Sequence, residues 1–172
     1  MPEEFPKIEF VRRAFLREPI EAAPEAREAV EEDFEFFIER VSSAIPGYAG
    51  YQDAVTSRQS SNAFYSTLSR EFTELLAFFK QEPLNGQMRE LTELLQNVVV
   101  KINALHSSSQ FFPKQNFVKE AYENDLRLVN LSSNILASQF TPLEFLERGL
   151  DSLKAELQVF SRQLDARRSF FA

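Results

Sequence analysis

The chain has 172 residues, 44% hydrophobic and 26% charged, a composition that suits one globular domain with a sizeable core and excludes a disordered chain. It contains no cysteine, which excludes disulfides, thiolate metal sites and cysteine nucleophiles and fits a reducing compartment. The formal charge of −7 is concentrated at the start: residues 1–40 hold twelve acids against six bases, and the other 132 hold fourteen against thirteen.

A chain so charged repels a phosphate backbone, and no basic stretch with interleaved aromatics offsets this, so nucleic acid is not an expected partner. Contact with lipid is possible but not favoured, because no helix carries a face rich in lysine and arginine. The opening MPEEFPKIEF lacks the basic and apolar regions of a secretory signal, and no apolar run is long enough for a transmembrane segment. The expected location is therefore cytoplasmic.

No stretch sustains a period-two alternation, so the elements read as helices throughout. A short first helix is expected over about 6–18, with Ile8, Val11 and Phe15 on one side, and Pro19 and Pro24 bracket a linker. The next helix spans about 24–44. Val30, Phe34, Phe37 and Val41 share one face, while Glu21, Glu25, Glu28, Glu32, Glu35 and Glu39 recur on the opposite one. That acidic stripe is either a solvated face or a docking surface for a basic partner.

Residues 46–51, Pro-Gly-Tyr-Ala-Gly-Tyr, form the strongest break in the chain. The expectation is a sharp turn with positive φ at glycine; without a preceding strand or a following Lys-Ser/Thr it is no phosphate loop. Tyr48 and Tyr51 are candidate partner contacts, being apolar rings with polar tips. A helix over about 53–81 follows, its core face carried by Phe64, Leu68, Phe72, Leu75 and Phe79 and its first turns polar.

After a turn at 82–86, Leu84, Met88, Leu91, Leu95, Val98, Ile102 and Leu105 alternate by four and three, the period of a coiled-coil seam. The sole histidine, His106, lies at the edge of this stripe. A fourth long helix over about 114–139 places Asp125 and Ser132 inside an apolar arc of Phe117, Ala121, Leu128, Val129 and Ile135. Thr141-Pro-Leu-Glu144 reads as the capped start of the last helix. Its seam runs through Leu143, Leu146, Leu150, Leu153, Leu157, Phe160 and Leu164, with Phe171 in phase.

The predicted fold is all-α: an antiparallel up-down four-helix bundle over 47–172 with an acidic helical arm over 1–46, five to six helices in all. Short connections between long helices force the alternation of direction. In that arrangement Asp125 lies level with Tyr65, and Arg58 with His106, giving a candidate buried polar layer of Arg58, Tyr65, His106 and Asp125. Of the Phe-Phe pairs at 36–37, 78–79, 111–112 and 170–171, both members cannot sit centrally on one stripe, since neighbours on a helix point about 100° apart. Phe170 and Phe171 are candidate partner contacts at the chain end.

No catalytic set can be assembled, and no metal or cofactor is expected: a histidine-based triad has one candidate base, and paired Glu-x-x-His motifs are absent. The expected function is a non-catalytic interaction protein of the adaptor, assembly-factor or structural-subunit kind. Its partners would be other protein subunits, possibly itself in a homo-oligomer. The alternative is a small-molecule or lipid-binding bundle with an apolar cavity near Arg58, Tyr65 and Asp125.

Overall fold

The computed structural model describes residues 34–81, 86–108 and 111–171. The helix expected over about 6–18, most of the next one, and Glu25, Glu28 and Glu32 of the acidic stripe lie outside the described residues. The described helices are α1 (Glu35–Ser42), α2 (Ala54–Lys80), α3 (Gly86–Ser107), α4 (Val118–Leu136), α5 (Leu143–Arg148) and α6 (Leu150–Ser169). Tight 3-10 turns at Gln115–Phe117 and Ala137–Phe140 flank α4. No strand forms among the described residues; one isolated bridge joins Pro113 to Phe171. No described helix is long and apolar enough to cross a membrane.

The start of α2 is set by Asp53, which is extended and accepts a 2.8 Å hydrogen bond from the Thr56 amide. Thr56 Oγ1 in turn accepts from the Asp53 amide at 3.1 Å, so two otherwise free donors are satisfied reciprocally. The fourth helix is shorter than the 114–139 expected. Phe117, at φ −124°, leaves helical geometry, and Ser138 Oγ donates to the Ile135 carbonyl at 2.6 Å where the chain tightens into a 3-10 turn.

The last helix is not continuous either. Thr141 does not cap it: Pro142 occupies the cap position, with no side-chain cap bond, and Thr141 stands one residue too early to reach the free amides. At Gly149 (φ −97°, ψ 8°) the helix breaks, and α6 resumes in the next residue.

The helices pack through the expected apolar faces. α2 lies against α3, α3 against α6, α6 against α4, and α1 against α4. Met88, Leu91, Leu95, Val98, Ile102 and Leu105 of α3 are buried, as are Leu150, Leu153, Leu157, Phe160 and Leu164 of α6. Phe72 and Phe160 stack face to face at 4.8 Å, joining α2 to α6. α1 contributes Phe37 and Val41, with Ile45 just beyond it. The phenylalanine pairs divide as helix geometry requires: Phe37, Phe79 and Phe171 are buried, while Phe78 is exposed and Phe36 and Phe170 are half-buried. At 111–112 neither ring is fully covered.

Glu71 stands half-buried on α2, and burial pushes its carboxyl up to about 7, with Glu74 adding to the effect and Arg70 opposing it. A carboxyl raised in the folded state holds its proton where the unfolded chain has lost it, so this group favours folding less as pH rises from about 4.5 to about 7. Glu71→Gln is therefore expected to stabilise the protein at pH 8 and to be near neutral at pH 4. Urea unfolding of both forms at the two pH values checks this.

Candidate functional site

The loop between α1 and α2 creates the site. Gly47 (φ 93°) and Gly50 (φ 88°) both adopt left-handed backbone, turning the chain twice within four residues. Around this turn Tyr48 and Tyr51 point inward. The loop is held by Ser60 of α2, whose Oγ donates to the Gly50 carbonyl at 2.7 Å and accepts from the Ala49 amide at 2.9 Å. Gln59 Nε2 donates to the Gly47 carbonyl, and the Tyr51 amide donates to Tyr122 Oη at 2.7 Å.

The loop closes over a carboxylate. Asp125 of α4 is fully buried; its Oδ2 accepts from Tyr48 Oη at 2.8 Å and also from Tyr51 Oη. Its Oδ1 accepts from Arg167 Nε of α6 at 2.6 Å. The guanidinium continues the network: Nη1 donates to Tyr65 Oη at 2.9 Å and Nη2 to Tyr51 Oη at 2.7 Å. Aromatic rings cover it, with Cζ 4.6 Å from the Phe64 centroid, 4.8 Å from Tyr65 and 4.3 Å from Phe171. One positive and one negative charge thus sit side by side, 1% and 0% exposed, tied by hydrogen bonds to three tyrosines. With Tyr122 beneath the loop, all four tyrosines of the chain converge here.

The electrostatics fix the protonation of the cluster. Burial, reinforced by Asp125, pushes the Tyr48 and Tyr51 hydroxyls well above their ordinary range; for Tyr51 the attraction of Arg167 pulls the other way without prevailing. Burial raises Tyr122 to about 12. Burial alone would weaken the charge on Arg167, but the attraction of Asp125 and the tyrosine oxygens more than offsets it and carries the group above its usual value. Tyr48 and Tyr51 act as neutral donors to Asp125 and Arg167 as a permanent cation, so none of these three is poised to exchange a proton near neutrality.

The expected residues are distributed differently from the reading. Asp125 and Tyr65 meet through Arg167. His106 stands beside the cluster: its ring stacks on Tyr65 at 5.8 Å, and Nε2 lies 3.2 Å from Asn62 Oδ1. Arg58 is exposed and outside the layer, its guanidinium 4.7 Å over the Phe111 ring, because its place on the first turns of α2 lies beyond the buried face. Tyr48 and Tyr51, expected at a partner surface, are buried instead, their hydroxyls donating to the Asp125 carboxylate. Phe171 is likewise buried, packed on Arg167 and at 5.3 Å from Tyr51, while Phe170 is half-buried. Glu35 and Glu39 are exposed.

Sequence reasoning missed Arg167, although a signal for it existed. The α6 seam Leu150, Leu153, Leu157, Phe160, Leu164 steps next to position 167 and then to Phe171, so the heptad places an arginine on a core position. Two further buried hydroxyls, Ser57 and Ser61 on the Tyr65 face of α2, have no hydrogen-bond partner among the described residues. No group of three or more His, Asp or Glu side chains among the described residues is placed to hold a metal ion. Comparison of the chain with protein-family models, with curated proteins and with solved structures finds no match to any of them.

Proposed function

We propose that this chain is a non-catalytic interaction module: an antiparallel up-down helical bundle, pinned at one end by the Asp125–Arg167 pair, that works through protein–protein contact. The antiparallel reading is supported by paired positions that run in opposite senses. Asn62 meets His106 and Ser69 meets Asn103 between α2 and α3, while Tyr65 meets Arg167 and Phe72 meets Phe160 between α2 and α6. Between α3 and α6, Glu90 pairs with Lys154 and Lys101 with Asp165, a parallel sense that follows when each chain reversal is short.

The observation that carries the functional reading is where the chemistry lies. The buried polar cluster spends its hydrogen bonds on itself, and its guanidinium fills the position a ligand cavity beside Asp125 and Tyr65 would need. The exposed apolar groups are on the outside: Phe112 is 46% exposed, Phe117 39% and Val100 56%. Full-length protein carrying Phe112→Ser and Phe117→Ser is expected to fold normally and to lose the subunit that co-purifies with the unaltered chain from its native source. Equal recovery of that subunit by both forms would contradict this surface, and light scattering of the purified chain checks for self-association.

A further inference from the structure

One end of the molecule unites stretches that are distant in sequence. α2 and α4 begin there, α3 and α6 end there, and contacts such as Asn62 with His106, Lys114 with Phe170 and Arg58 with Phe111 bind them together. Residues 54–69, 102–119 and 166–171 contain no aspartate or glutamate at all. They supply four exposed bases, Arg58, Lys114, Lys119 and Arg168. Among these bases stand the exposed rings of Phe112 and Phe117, the latter 5.8 Å from half-buried Phe170. Asp53, Glu120 and Asp165 flank these stretches in sequence, Asp165 pairing with Lys101, and Asp125 pairs with Arg167. The stretches 111–119 and 167–171 are each basic and aromatic without an acid, and the fold sets them side by side.

We propose that this basic, aromatic end is the docking surface for the acidic segment 1–33 of the same chain. Charge complementarity supports it through residues 18–33, which hold seven acids against one base; residues 1–17, with three acids and four bases, contribute apolar groups instead. Position supports it as well. The segment joins the described residues at Phe34, whose ring stacks on Tyr122 at 4.5 Å, little more than one turn of α4 beyond Phe117 and Lys119. Length is no obstacle, since 33 residues span about 50 Å even at the rise of a helix. Phe5, Ile8, Phe10, Val11, Phe15 and Leu16 provide apolar groups to meet Phe112 and Phe117. The docked segment covers the rings assigned above to a partner, so the inference rests on that reading for its consequence, which is competition between arm and partner. The docking itself is measurable on the purified chain.

The absence of cysteine allows one clean spin-label pair, introduced as Ala14→Cys and Asn116→Cys in the full-length protein. The expected result is a narrow distribution of short distances by pulsed dipolar spectroscopy, unchanged when labelled protein is diluted into excess unlabelled protein. Combining Lys114→Glu, Lys119→Glu and Arg168→Glu should abolish the short component, as should salt of about 1 M. Lys114→Glu alone, expected to weaken that component, serves if the triple variant does not fold. A broad distribution insensitive to charge reversal and salt overturns the proposal. A short distance lost on dilution also overturns it, because the arm then reaches a second copy. Partner capture plays no part in this readout, so failure of the docking and failure of the contact surface remain distinguishable.

Discussion

Arg167→Met is expected to lower the unfolding free energy by about 3–5 kcal/mol, the usual effect of removing one member of a buried ion pair. The substitution keeps an unbranched side chain among Phe64, Tyr65 and Phe171, so the loss is mainly electrostatic. It leaves the Asp125 carboxylate with two tyrosine hydroxyls but without its countercharge, in a place water does not reach. Tyr65 Oη loses a donor at the same time. Exposed pairs such as Lys101–Asp165 offer the contrast: Lys101→Met should change stability by less than about 1 kcal/mol. Denaturant unfolding of the two variants beside the unaltered chain checks both values.

Gly50→Ala is expected to cost about 2–5 kcal/mol, from two sources. Left-handed backbone at φ 88° costs an L-residue about 1–2 kcal/mol. The added methyl would also lie 2.6 Å from Ile38 Cδ1 and 2.7 Å from Tyr122 Oη, an overpacking that costs about 1–3 kcal/mol. Gly47→Ala keeps the first source and carries a milder form of the second. Its backbone is equally left-handed, but its new methyl meets only Ala63 Cβ at 3.3 Å. A thermal or urea midpoint for Gly47→Ala lying between the unaltered chain and Gly50→Ala is the expected order; equal losses would assign the whole effect to the backbone.

The elements most legible in the sequence are those whose periodicity reports burial directly. The α3 seam from Met88 to Leu105 and the core face of α2 follow from spacing alone, because an apolar side chain at each turn has one place to go. The interruptions are less legible. Gly149 breaks the last helix without proline or a polar cluster to announce it, and the cap at Pro142 displaces Thr141 by a single residue.

The polar cluster is half visible for a different reason. Asp125 on an apolar arc signals a buried charge, but it does not name the partner, which lies 42 positions away. Level matching along straight helices offers Tyr65, and it points to α2 for the arginine, at Arg58. Arg167 reads as part of an exposed chain end, although the heptad of α6 reserves a core position for it. Tyr48 and Tyr51 read as outward-facing because amphipathic rings in a loop suit an interface as well as a core. Only the carboxylate decides between the two, and it belongs to another helix.

The central claim is that Asp125 and Arg167 form one unit that locks the α1–α2 loop, α2, α4 and α6 together. The double-mutant cycle of Asp125→Asn and Arg167→Met, measured by denaturant unfolding, tests it most directly. Once the arginine is gone, neutralising the carboxylate should relieve much of the damage, so the double variant should fall short of the summed single losses by about 2 kcal/mol or more. Losses that add to within about 0.5 kcal/mol would mean the two groups act independently, and the lock would be contradicted.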